Sequence, residues 1–311
     1  MQFDDKRRDH LAKINLENSR VNVRDAPIIF LCGGKVDVKS PYPLSLRQAL
    51  IEHLHKVGCT SADQITLAEE FEDWLYDGLY PDLLIFEEDI ANIASILVIV
   101  LESAGSLAEL GLFVNNSRIS EKVIVFVKDE FHRGESFISL GPLRYLENKN
   151  ITSVCAYSWD DESLSESVRD DLPHMRDDIL NTVQSLDRTV TFDIENTGHQ
   201  SFLVYELIRT FHALTVSEIR EFLGLSGVSV SLDELKRYIF ILTKFRLIDH
   251  KQKGHTKFYH AVSSLEKLQL AGKFKFDDAH LDSIQFYSTS DMEKKRFSVI
   301  KSIRKHGSEA A

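Results

Sequence analysis

With 311 residues, 43% of them hydrophobic and 27% charged, the chain holds enough apolar material for two cores, since a single core seldom grows past about 250 residues. Its apolar runs fall well short of the roughly 20 residues that cross a bilayer, no charged-then-apolar leader opens it, and its three cysteines (Cys32, Cys59, Cys155) have no disulfide or zinc-knuckle spacing, so a reduced, cytoplasmic protein without membrane contact is expected. The net charge of -11 disfavours a general nucleic-acid binder, but it is uneven: residues 61–90 hold ten acids and no base, whereas residues 236–260 hold seven Lys/Arg against Asp249 alone.

Residues 1–26 are polar with a weak helical stripe through Leu11, Ile14 and Leu16, and read as an arm that packs late or on a partner. Residues 28–32 form a short apolar strand that ends in Gly33-Gly34, followed by a proline-containing loop and a helix through Leu46, Leu50 and Leu54. A second unit runs from a strand at residues 65–67, through an acidic connector, to a helix near residues 82–94 that carries Leu83, Phe86, Ile90 and Ile93 on one side. Residues 96–101 and 122–128 are near-continuous apolar runs, as strands buried on both faces of a parallel sheet should be, and residues 151–157 supply a fifth. Residues 27–158 therefore predict a doubly wound, flavodoxin-like α/β domain.

Residues 159–195, acidic and weakly periodic, read as a connecting helix between domains. Beyond them come helices at 202–211 and 216–223 and a third capped by Ser231 with Glu234 completing a capping box. Two strands then turn about Lys253-Gly254, so residues 196–264 predict a winged-helix domain with a basic hairpin. Residues 265–311 form a less patterned C-terminal segment that ends in a basic tail.

In doubly wound sheets, ligands bind beyond the carboxyl ends of the strands, where neighbouring connections diverge. Two loops qualify: Gly33-Gly34 after the first strand, and Glu102-Ser103-Ala104-Gly105-Ser106 after the third. Their glycines permit close backbone approach, and the helix starting near Ser106 aims free N–H groups at a phosphate or sugar hydroxyl. Glu109 is placed to attack or shield an anomeric carbon as glycosidic charge develops, and Asp89 to hold a ribose hydroxyl. The plainer alternatives are an acid favoured by the helix dipole at Glu109, a core thiol at Cys32 and a solvated face for the basic hairpin. No dinucleotide fingerprint, Walker sequence, HExxH or CxxC is present, so no metal or bound cofactor is expected.

The stretches IIFLCGG, IFEEDIANIASILVIVLESAGSLAELGLFVNN, KVIVFVKDEF and FISLGPLRYL, with the downstream helices and hairpin, resemble effectors of bacterial type II retron antiphage systems, in which a nucleoside deoxyribosyltransferase-like domain precedes a winged helix. The most specific segment is Glu102, Ser103, Gly105, Ser106, Glu109, Leu110 and Gly111. The resemblance implies that Glu109 matches the transferases' nucleophile and Asp89 their sugar-binding acid, and that Gly33, Gly34, Gly105 and Ser106 place phosphates and hydroxyls. Where those transferases carry an aspartate this chain has Ser103, also assigned to the substrate site, which argues against ordinary deoxynucleoside base exchange. It further implies N-glycosidic cleavage, with NAD the preferred substrate and a nucleotide or nucleoside next. Control would come from a reverse transcriptase and its branched RNA-DNA product, msDNA, in a higher-order assembly.

Two other readings compete. The first domain binds a nucleotide without cleaving it and the protein is a DNA-binding regulator, or it transfers (deoxy)ribosyl groups between nucleosides or nucleotides. For the second half, the preferred reading has Lys251, Lys253 and Lys257 holding msDNA through its phosphates. The acidic run at 61–90 is a solvated face or a dock for a basic partner.

Overall fold

The computed structural model describes residues 3–57, 65–67 and 78–309. Cys59 and most of the acidic run, residues 61–64 and 68–77, lie outside the described residues. The chain divides into two compact units, Val23–Arg188 and the combination of Met1–Asn22 with Thr189–Ala311.

The chain opens with helix α1 (Arg7–Leu11) and strand β1 (Ile14–Asn22), both of the composite unit. The Val23–Arg188 unit then follows with β2 (Ile29–Cys32), α2 (Leu46–Lys56), β3 (Ile65–Leu67), α3 (Leu83–Ile93), β4 (Ile96–Val100), α4 (Ala104–Val114), β5 (Val123–Lys128), β6 (Val154–Tyr157) and α5 (Leu172–Ser185). The five strands form one parallel sheet in the order β3-β2-β4-β5-β6. Counted within the unit this is 2-1-3-4-5, the strand order of flavodoxin-like sheets, and its connections diverge between β2 and β4. Every residue of β4, and β5 as far as Val127, is buried, which is why these strands read as unbroken apolar runs.

On one face of the sheet, Ile29, Leu31, Val98, Val100 and Phe126 pack with Leu50 and Leu54 of α2 and with Met175, Ile179 and Val183 of α5. That packing corrects the expectation of a connecting helix at 159–195: the i, i+4, i+8 stripe of α5 belongs to the core of the α/β unit. On the other face α4 packs on β4. The end of α3 is closed by Lys122, whose buried ammonium donates to the carbonyls of Ala91, Asn92 and Ala94 at 3.3, 3.1 and 2.9 Å, a cation at the negative end of a helix. Burial lowers the Lys122 pKa to about 8.

The composite unit continues with β7 (Thr189–Thr191), α6 (Thr197–Phe211), α7 (Val216–Leu225), α8 (Leu232–Lys244), β8 (Ile248–Lys253), β9 (Thr256–Ala261), β10 (Leu268–Gly272), α9 (Phe276–Thr289) and α10 (Lys294–Glu309). Three helices followed by a hairpin thus appear where the sequence placed them. The Ser231–Glu234 capping box is formed, with Leu235, Tyr238, Ile239 and Leu242 on the buried side of α8. β8 and β9 join through Gly254-His255; Gly254 has φ +64°, the left-handed backbone that a two-residue hairpin turn of this kind requires. Leu214, ahead of α7, forms a bridge to Tyr259 that adds a short third edge to the hairpin.

The N-terminal segment is not a loose arm. β1 is the central strand of an antiparallel sheet, β10-β1-β7, and so draws together both ends of the composite unit. The C-terminal segment is likewise integrated: α9 and α10 pack on each other, and α9 packs on α6. A buried ionic network fastens the two ends. Glu218 of α7 accepts from Arg7 at 2.8 Å and from Arg296 at 2.7 Å, while Arg7 also pairs with Asp5 at 2.7 Å. The Tyr287 hydroxyl takes a hydrogen bond from Arg7 at 3.1 Å and donates to the Phe211 carbonyl at 2.8 Å.

Candidate active site

The point of divergence between β2 and β4 brings Cys32-Gly33-Gly34 beside Leu101-Glu102-Ser103. Glu102 organises the junction. Its Oε1 accepts from the amides of Gly34 and Arg47 at 2.9 and 3.0 Å, and its Oε2 from the amide of Leu46 at 2.6 Å. The chain's own carboxylate therefore sits at the start of α2, where unpaired N–H groups and the helix dipole favour an anion. Gly34 has to be glycine, because a Cβ there would lie 2.7 Å from Cβ of Ser45 and 3.0 Å from Cδ of Glu102. Its N–H, expected to meet a ligand phosphate, is spent on Glu102, and the Gly33 carbonyl accepts from the Ser103 hydroxyl at 3.3 Å.

α4 begins at Ala104, two residues earlier than expected, with Ser103 as its cap. Ser103 and Ser106 cap each other, each hydroxyl accepting from the other's amide at 3.1 Å. Ser106 is buried in that exchange, whereas Gly105 is exposed. Gly34, Glu102 and Ser103 line a cavity of about 590 Å³ together with Lys35, Leu107, Lys128, Phe131 and Ile138. Its walls are mainly apolar, with a few polar groups among them, the make-up of a small-ligand site.

Glu109 is in the second turn of α4 and faces the end of β2. It is not among the residues that line this cavity. The Cys32 thiol is hydrogen-bonded to it, and burial, then the charges of Glu109 and Glu87, push the thiol's pKa well up against the opposing pull of Arg47. Cys32 is therefore a neutral core thiol rather than a nucleophile. Glu87, on α3, feels the same surroundings: burial first, and then Glu109, raise its pKa to about 8, with Arg47 again opposing. Asp89 is buried on the same helix. The crevice predicted from the sequence thus has two parts. Gly34 and Ser103 line the cavity, while Glu109 gathers with Cys32, Arg47 and Glu87 on the Cys32 side of Gly33.

Arg47 and Glu87 have no counterpart among the residues singled out from the sequence, and Glu102 is named there only as part of the loop and its motif, with no role of its own. The pattern held one signal for them: Glu87 lies four residues after Leu83 and three before Ile90, inside the apolar stripe of α3, where an acid is out of place. Arg47 and Glu102 act across long sequence separations that periodicity does not report.

In the composite unit, the hairpin register places Lys251 opposite Phe258, Lys253 opposite Thr256 and Lys257 opposite Gln252. Side chains alternate along a strand, so Lys251 and Lys253 share one face and Lys257 is on the other. Lys253 and Lys257 are exposed, whereas Lys251 is half-buried and donates to Ser302 of α10 at 3.4 Å. Among the described residues no group of three His, Cys, Asp or Glu side chains is arranged to hold a metal, and no helix is long and apolar enough to cross a membrane.

Residues 43–250 match the family model described as STM3845 retron effector protein, and the chain belongs to that family. Among curated proteins it is similar to the "Retron Ec86 putative ribosyltransferase/DNA-binding protein" of Escherichia coli, 32% identical over 126 residues that make up 40% of this chain and 39% of that protein. It is also similar to the "Retron Ec73 putative ribosyltransferase/DNA-binding protein" of Escherichia coli, 29% identical over 125 residues, 39% of this chain and 38% of the other. The matched region spans about two fifths of the length of these relatives.

Proposed function

We propose that the chain is a toxic effector of retron antiphage defence that cleaves N-glycosidic bonds, with NAD the first substrate and nucleotides or nucleosides next. The observation that carries this reading is the setting of Glu109: a carboxylate beside the end of β2, at the point of divergence where sheets of this order bind ligands, next to the buried Cys32, Glu87 and Arg47. In that setting Glu109 engages C1′ of the ribose as the base departs, forming an ester or shielding the developing positive charge. The neighbouring cavity holds the rest of the nucleotide, with Lys35 toward its anionic groups, Lys128 paired with Asp161 at 2.6 Å in its wall, and Phe131 and Ile138 along its apolar parts. Incubating the full chain with NAD, free of other retron components, and following nicotinamide by chromatography tests this; release above the uncatalysed rate supports it, and an unchanged NAD pool contradicts it.

The helix, helix, helix, hairpin order of the composite unit is read as a winged helix that grips msDNA, in an assembly with reverse transcriptase that restrains the toxin until a phage interferes. Exposed Lys253 and Lys257 carry this reading. Changing both to alanine should weaken msDNA binding alike for unrelated sequences and reduce the slope of log affinity against log salt by about 1 to 2, which anisotropy titrations at several salt concentrations would measure. A sequence preference that survives the double change with an unaltered slope would contradict phosphate contact. The half-buried Lys251, engaged with Ser302, should contribute less.

A further inference from the structure

The cavity beside Glu109 spans the ends of three strands: Gly34 and Lys35 follow β2, Glu102 and Ser103 follow β4, and Lys128 closes β5. Its lining holds two cations, Lys35 and Lys128, and two carboxylates, Glu102 and Asp161. Glu102 is committed to the amides of Gly34, Leu46 and Arg47. Asp161 pairs with Lys128 at 2.6 Å, and the two halves of that pair are held very differently. The Lys128 side chain is 13% exposed, and its ammonium stands over the ring of the buried Trp159, 5.4 Å from the centroid, so the cation keeps its place without Asp161. The Asp161 side chain, by contrast, is 71% exposed. Its loop is tied down at the neighbouring Asp160, whose carboxylate accepts from the Glu162 amide at 3.0 Å and the Ser163 hydroxyl at 2.9 Å. Asp161 can therefore turn away by side-chain rotation alone. An ion pair with one member so exposed adds little to stability, whereas a lysine in the wall of a largely apolar cavity needs an anion beside it. The arrangement fits a cation kept for a ligand, with a carboxylate that yields to it.

We infer that Lys128 receives a phosphate of the substrate in exchange for Asp161, and that the site thereby selects phosphate-bearing nucleotides over nucleosides. The inference rests on the reading that Glu109 meets the ribose carbon. The ends of β2 and β5 are two strand spacings apart, about 10 Å, a span that a ribose and its 5′-phosphates cover from C1′. A phosphate displaces Asp161 because it brings more oxygen acceptors and, as a monoester, more charge, and Lys35 adds a second cation on the β2 side. No covalent bond changes in the exchange. Asp161, already mostly in water, moves fully into it.

The test follows nicotinamide release from nicotinamide riboside, nicotinamide mononucleotide and NAD, which share the scissile bond and the leaving base and differ in phosphate. It uses the full chain and its Lys128→Met and Asp161→Asn variants. Lys128→Met should lower kcat/KM for the mononucleotide and NAD by about ten- to a hundredfold, the scale of a charge-assisted hydrogen bond, chiefly through KM, and leave the riboside within about twofold. Asp161→Asn should act in the opposite direction, reducing KM for the two phosphate-bearing substrates by about two- to fivefold, an effect that fades at high salt. A folding defect would scale all three substrates together. An equal loss on riboside and mononucleotide therefore overturns the inference, as does a wild type with no preference for the phosphate-bearing substrates. Calorimetric titration with ADP-ribose, which lacks the nicotinamide bond, keeps this outcome apart from a failure of the cleavage reading. If the wild type releases nicotinamide from none of the three, the cleavage reading falls and binding alone decides the role of Lys128: ADP-ribose held about tenfold more weakly by Lys128→Met supports it, and equal affinity overturns it.

Discussion

Glu109→Gln is expected to slow nicotinamide release from NAD by on the order of a thousandfold or more, equivalent to about 4 kcal/mol of lost transition-state stabilisation. The change keeps the side chain's length and its ability to bond the Cys32 thiol, and removes only the charge that meets C1′. A steady-state assay with NAD measures it, alongside thermal melting of both proteins. A melting temperature close to that of the wild type assigns the lost activity to chemistry rather than to folding. A variant that melts like the wild type and still releases nicotinamide at the wild-type rate would reduce Glu109 to a helix acid. If both activity and stability collapse, Glu109→Asp separates the causes, since it restores the charge at a shorter reach.

The second large effect concerns stability. Glu218→Ala should destabilise the composite unit by about 3–5 kcal/mol, because it leaves the buried guanidinium groups of Arg7 and Arg296 without the carboxylate they share. Asp5 and Glu293 still pair with one arginine each, so the network is damaged rather than emptied. For a unit of this size the unfolding midpoint should fall by roughly 10 °C. Burial alone would raise the pKa of Glu218, but hydrogen bonding and charge from Arg296, then the backbone of Thr215 and Arg7, outweigh it and hold the pKa below the ordinary carboxylate value. The sign follows from linkage: a depressed folded-state pKa contributes stability that is present above the unfolded value of 4.5 and is lost as pH falls through the folded one. Calorimetry against pH should show that acid limb in the wild type and a shallower one in Glu218→Ala. Equal midpoints for the two proteins at neutral pH would mean that the network is replaceable by solvent.

Much of the α/β unit is legible in the residues because its strands are buried on both faces. A run such as ILVIV at β4 has no other comfortable home, and the intervening helices show their stripes. The composite unit is legible only locally. The capping box at Ser231 and the turn at Gly254 report nearby geometry and predict the third helix and the hairpin. What makes β1 a central strand is its pairing with β7 and β10, more than 160 residues away, and a mixed-polarity strand in an antiparallel sheet leaves no periodic trace of such partners. α5 was legible as a helix but not as a core element, since its three buried side chains, Met175, Ile179 and Val183, are diluted by acids on the exposed side. The site shows the same division. Glu109 and the glycines follow from local motifs, but the Ser103 cap was placed too late, and the acceptance of three backbone N–H groups by Glu102 and the gathering of Glu87, Arg47 and Cys32 around Glu109 depend on where separate elements meet.

The central claim is that the Glu109 carboxylate breaks a glycosidic bond. It is tested most directly by mass spectrometry of the small-nucleotide pool in cells that make either the wild-type chain or Glu109→Gln. The account predicts loss of NAD, with free nicotinamide and the matching ribosyl product, in wild-type cells alone. The same loss in both, or an unchanged pool in cells that the wild-type chain nevertheless poisons, would contradict it.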